Sequence, residues 1–161
     1  MTMLWAVLLL SGCVVKRIEN GVYHSSKGYR VAIPNGQWAP VDESPADLEL
    51  RHRAAPAGMA VNAVCDGGVP RRDAGVLARQ LLIGLRDRRV IERATAEVAG
   101  RPASRVTVEG RLEDTTTRMR IESVLLRDGR CLYDFLYAAP PETFAAAHGD
   151  FARFVDSFRI D

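Results

Sequence analysis

Apolar side chains recur at every second position along most of this chain and at every third or fourth position in two stretches, which separates predicted strands from predicted helices. Tyr29, Val31 and Ile33 alternate over residues 28–34, a half-buried strand that Pro34-Asn35-Gly36 ends, and Trp38 follows at the edge of the core. Leu48 and Leu50 keep the same phase over 47–53, and Met59, Val61, Ala63 and Cys65 keep it over 59–65, with residues 54–58 as the turn. The period then lengthens. Val76, Leu77, Gln80, Leu81, Gly84 and Leu85 lie on one face of a helix predicted over 74–87, capped by Asp73, with Arg79, Arg86 and Asp87 left in water.

Alternation returns at Val90. Strands are predicted over 90–98, 103–109, 119–126 and 131–137, joined by a turn at Gly100-Arg101-Pro102, a polar stretch over 110–116 and the Asp128-Gly129 pair of a tight hairpin. Pro140-Pro141 closes this antiparallel meander. A second helix over 142–157 gathers Phe144, Ala147, Phe151, Phe154 and Val155, with Phe158 beyond them, on a face that must be buried. This order gives an α+β domain: an antiparallel β-sheet covered by helices.

The first twelve residues follow neither period. Met1 to Gly12 carry no charged side chain and are too few to span a bilayer, but they have the length of the apolar segment of a secretory leader. Leu10-Ser11-Gly12-Cys13 resembles the lipobox of bacterial lipoproteins. That resemblance implies a signal peptide over 1–12, cleavage before Cys13, and a diacylglyceryl group and an N-acyl chain on Cys13, such as palmitate. A thiol is the nucleophile this chemistry needs, and two or three acyl chains hold durably where one holds marginally. The leader lacks the customary Lys or Arg, which a start codon placed too far downstream would explain. Residues 13–27 read as the lipidated cysteine and a polar tether, with a single domain over 28–161. Val14 is not an Asp-type retention signal, so the expected location is the bacterial cell envelope, facing the periplasm, with the outer membrane favoured over the inner.

Charge narrows the function further. With 161 residues, 47% of them hydrophobic, the chain is long enough for one core. Its 22 basic and 20 acidic residues are spread throughout, so no basic block marks a nucleic-acid partner. His24, His52 and His148 show no metal-ligand spacing, and no Gly-x-Ser-x-Gly element occurs; no catalytic residue, metal or cofactor is expected. Arg71, Arg72, Arg86, Arg88 and Arg89 are read as the solvated rim of the first helix, the alternative being a grip on an acidic protein or phospholipid head groups; Asp134 is read as an ion-paired strand residue or one pointing into a cleft, and Tyr133, Phe135 and Tyr137 as core, with tyrosine tips at a pocket mouth as the alternative. With Cys13 lipidated, Cys65 and Cys131 remain as a candidate disulfide or as two small buried thiols, a choice that turns on their separation in space.

The opening segment from Tyr29 to Trp38, the hairpin around Val98-Ala99-Gly100-Arg101-Pro102-Ala103, the strand ending near Tyr133 and the closing Phe151-Ala152-Arg153-Phe154-Val155-Asp156-Ser157-Phe158 together resemble the Mog1/PsbP-like superfamily. That resemblance covers residues 22–161 and implies an α/β/α sandwich with binding roles, and the lipobox points to its DcrB-like envelope lipoproteins. The function expected is a membrane-anchored envelope lipoprotein, non-enzymatic, with a protein-binding or scaffolding role. The alternatives are a carrier or chaperone sheltering a hydrophobic segment or lipid in a groove of the sandwich, and a hydrolase with convergent polar groups in a pocket.

Overall fold

The computed structural model describes residues 17–65, 84–113 and 115–161. Cys13, its leader and residues 74–83 of the first predicted helix lie outside the described residues. Seven antiparallel strands form the large sheet: β4 (Trp38–Pro40), β5 (Leu48–His52), β6 (Gly58–Cys65), β7 (Leu85–Val98), β8 (Arg101–Leu112), β9 (Arg118–Arg127) and β10 (Cys131–Ala139), ordered β4-β5-β6-β10-β9-β8-β7. The small sheet has the order β1-β2-β3-β11, from β1 (Arg17–Glu19), β2 (Val22–Ser25), β3 (Tyr29–Ala32) and β11 (Arg159–Ile160). One helix is present among the described residues, α1 (Phe144–Asp156).

Inner-face positions of the large sheet, the small sheet and α1 enclose the main core. Leu48, Leu50, Met59, Val61, Leu126 and Phe135 come from the large sheet, Tyr29 and Val31 from the small one, and Phe151 and Phe154 from α1; Phe158, just beyond it, joins them. Phe158 is fully buried, its ring centre 4.9 Å from Tyr133, 5.1 Å from Phe135 and 5.5 Å from Tyr29, so one side chain joins both sheets. The polar seam beside it is satisfied. Asp47 accepts hydrogen bonds from Tyr29 Oη (2.8 Å), the Ala63 amide (2.9 Å) and Lys27 Nζ (2.6 Å), fastening β3 to the large sheet. Burial and the neighbouring Asp47 push the Tyr29 phenol far up, so that it stays a donor.

Three expectations are corrected. The stretch expected as a tether folds from Arg17 onward: β1 and β2 pair across Asn20-Gly21, whose φ values of 50° and 75° are the left-handed pair a tight hairpin requires. Leu85 to Asp87, expected at the end of a helix, begin β7. Arg86, Arg88 and Arg89 therefore stand on a sheet edge and not on a helix rim. Finally, the inner face is covered by α1 together with a second sheet, where helices alone were expected. On the opposite face, Ala46, Ala60, Leu85, Ile121 and Leu136 form a second buried cluster.

The terminal elements are pinned by polar contacts. Ser157 Oγ accepts the Ala32 amide at 2.9 Å, and the Asp161 amide donates to the Gly28 carbonyl at 3.0 Å. Asp150 on α1 accepts from Trp38 Nε1 (2.8 Å) and Asn35 (3.1 Å) and pairs with Arg153. Burial alone would raise the Asp150 carboxyl, but these donors outweigh it and hold the group below the usual carboxylate range.

Candidate interaction surface

Along β9 the inner-face stripe changes character. Leu126 and Val124 are apolar, and then Glu122, Arg120 and Arg118 continue the same period-two row. Strand pairing sets Glu122 beside Tyr137 on β10 and Thr107 on β8, Arg120 opposite Glu109, and Arg118 opposite Arg111. The core thus passes directly into a charged lattice at the end of α1.

Glu122 and Glu109 are both buried. His148 on α1 meets Glu122 through Nε2 at 2.9 Å, while Thr107 Oγ1 lies 3.5 Å from the same carboxylate. Around the imidazole sit Phe144 (5.3 Å), Tyr137 (5.9 Å) and Phe151 (6.3 Å). Glu109 accepts from Arg118 Nη2 (2.9 Å) and from Arg120 Nη2 and Nε (2.9 and 3.2 Å), with Arg89 at 4.0 Å. The Arg120 guanidinium also covers the Phe144 ring at 5.4 Å. Three arginines surrounding one carboxylate leave the lattice locally positive, and Arg118 and Arg89 remain largely exposed.

The Arg118 hydrogen bond, followed by that of Arg120, lowers the Glu109 carboxyl below the usual carboxylate range against the opposing cost of burial. Its contribution to stability is complete above the glutamate value of the unfolded chain and disappears as pH falls through the lowered folded value. Glu109→Gln is therefore expected to lower Tm at neutral pH and to converge on wild type once the pH has fallen below that lowered value. Thermal scans of both proteins from neutral to strongly acidic pH check this; a gap that persists in acid would show that charge is not what Glu109 supplies.

The other residues singled out from sequence do not converge. His24 lies in β2 and His52 in β5, where His52 Nδ1 accepts the Ala54 and Ala55 amides (3.2 and 3.0 Å) and the ring packs on Trp38. Arg71 and Arg72 are outside the described residues. Asp134 is buried with Ser123 Oγ at 3.4 Å. Cys65 and Cys131 are register partners on β6 and β10, with Cα atoms 4.0 Å and sulfurs 2.08 Å apart. No group of three or more His, Cys, Asp or Glu side chains among the described residues could hold a metal ion, and no described helix is long and apolar enough to cross a membrane. An open hollow of about 380 Å³ at the β7–β8 turn is lined by Glu97, Ala99, Gly100, Asp156 and Arg159, a charged wall unsuited to an apolar guest. Glu109 and Glu122 were not singled out from sequence; for Glu122 the available signal was a carboxylate in the same period-two row as Val124 and Leu126, whereas Glu109 shares its row with Thr107 and Arg111 and carried none.

No protein-family model matches the chain, and no curated protein matches its sequence. Solved structures do. The chain is similar to cyanobacterial PsbP from Synechocystis sp. PCC 6803, with 14% identity, 87% of this chain and 91% of that one covered, and a TM-score of 0.60. It is also similar to LpqN of Mycobacterium tuberculosis, described as involved in cell envelope biogenesis, with 14% identity, coverage of 85% and 87%, and a TM-score of 0.61. A third likeness is to the Ran-binding protein Mog1p of Saccharomyces cerevisiae, with 10% identity, coverage of 83% and 90%, and a TM-score of 0.55. The fold is Mog1/PsbP-like.

Proposed function

We propose that this chain is a lipid-anchored envelope protein that binds a protein partner through the arginine–glutamate lattice of β8 and β9 and catalyses no reaction. The observation that carries the binding role is the lattice itself: exposed arginines held in fixed positions by buried Glu109, beside the α1 end of the core. Preorganised arginines at the rim of a packed core suit recognition of a partner that presents carboxylates. Residues 1–13 support the envelope location through the leader and the lipobox ending at Cys13. The facing Cys65 and Cys131 suit an oxidising compartment, where we take them to be bonded. The role ascribed to LpqN in envelope biogenesis and the Ran-binding description of Mog1p are consistent with a binding protein on this fold.

Intact-mass analysis of the membrane-fraction protein tests the anchor. The expected native species begins at Cys13 and carries added acyl mass, whereas a Cys13→Ala chain leaves the membrane fraction. An unprocessed, unacylated native chain would overturn the lipoprotein reading. Photo-crosslinking from position 118 in intact envelopes then tests the surface: a discrete partner band is expected from 118 and none from 53, at the opposite edge of the large sheet, and equal labelling from both sites sinks it.

A further inference from the structure

Among the described residues, β7 forms one border of the large sheet. Every residue from Arg86 to Arg93 is exposed, including Val90 at 46% and Ile91 at 40%, the exposed large hydrophobics among the described residues. A border strand offers its backbone N–H and C=O groups to any passing strand, and charges and bulges ordinarily deter one. β7 has both, with one residue more than β8 between Arg86 and Arg89 and another between Val90 and Glu92.

The charges, however, are ordered so that they do not repel β7 itself. With a second copy laid antiparallel about a twofold axis through Val90, Asp87 falls opposite Arg93 and Arg88 opposite Glu92, each twice. Val90 then meets Val90, while Arg86 and Arg89 face Ala94 and Ile91. Like charges do not oppose one another anywhere from 86 to 94. Shifting the axis to lie between Val90 and Ile91 brings Arg88 opposite Arg93, so charge selects the first register. Asp87 and Glu92 already bridge Arg111 (3.1 Å) and Arg105 (3.3 Å) on their own chain, and in the first register each would stand between two arginines.

We propose that this edge is a self-association site: two copies pair β7 to β7 about Val90, joining two large sheets into one through an isologous contact. The contact does not depend on the lipid anchor, and it shares only Arg89 with the arginine–glutamate lattice.

Val90→Cys, placed in the full-length chain in its native membrane, should give a disulfide-linked dimer on a non-reducing gel. The wild-type chain controls for Cys13, Cys65 and Cys131, and Arg53→Cys controls for chance collision. On the detergent-purified chain, sedimentation equilibrium should give a dimer whose Kd rises about tenfold or more with Arg88→Glu and returns to within about threefold of wild type when Glu92→Arg is added. All these substitutions are at exposed positions, and circular dichroism should confirm an unchanged fold. A wild-type monomer at micromolar concentration, a Val90→Cys chain that cross-links no better than Arg53→Cys, or a double variant that stays as weak as Arg88→Glu would overturn the proposal. Cross-linking of Val90→Cys to a different protein in place of itself would overturn it as well.

Discussion

Replacing Phe158 with alanine is expected to destabilise the domain by about 4 kcal/mol and to lower its Tm by roughly 10 °C. The ring is fully buried and touches Tyr29 from the small sheet and Tyr133 and Phe135 from the large one, immediately after α1 ends. Truncation removes the ring's transfer free energy and leaves a cavity bounded by elements that cannot all move inward, because β3 is also held by Tyr29–Asp47 and by the Ser157–Ala32 contact. Urea and thermal denaturation measure the loss, with exposed Glu43→Ala as a control expected to change stability by less than about 0.5 kcal/mol. A Phe158→Ala shift as small as that of Glu43→Ala would mean that the two sheets are held together elsewhere.

The second large effect is expected from removing the Cys65–Cys131 link. The partners are 66 residues apart in sequence, and the closed segment includes β7, β8 and β9. On the chain-entropy argument, a crosslink over a loop of that size stabilises by about 4 kcal/mol, by restricting the unfolded chain. The expected result is that dithiothreitol lowers the Tm of the wild-type protein and leaves a Cys65→Ala/Cys131→Ala protein unchanged, the reduced wild type and the double variant melting together. If the reductant has no effect on the wild type, the two cysteines are free thiols in the folded protein.

The main strands and the C-terminal helix were legible because each turns a row of apolar side chains toward the core at the period of its element, even where, as in β6 and β10, the other face is buried as well. β5, β6, β9, β10 and α1 all carry that mark. Elements without a buried stripe were missed for the same reason. β4 and β11 are too short to show a period, and β1 contributes Arg17 and Glu19 to solvent, so its hairpin was announced only by Asn20-Gly21. The first turn of β7 was misread because Leu81 and Leu85 stand at helical spacing while Arg86 to Arg89 carry no alternation at all. The charged lattice was hidden for a different reason. Glu109 and Glu122 acquire their partners through the β8–β9 register and the approach of α1, neither of which can be read from spacing within one strand. The meeting of Cys65 and Cys131 likewise depends on β10 returning past three intervening strands to pair with β6.

Were the chain anchored at Cys13 as proposed, the β1–β2 hairpin would limit how far the body can stand from a bilayer. A flexible leash over residues 13–27 would reach roughly 50 Å at full extension. With β1 starting at Arg17, the chain between it and an anchored Cys13 would span at most about 14 Å, less than the thickness of a hydrocarbon layer. The small sheet would then ride close above the headgroups, and any partner would have to come to a nearly stationary target instead of being swept up by a roving one.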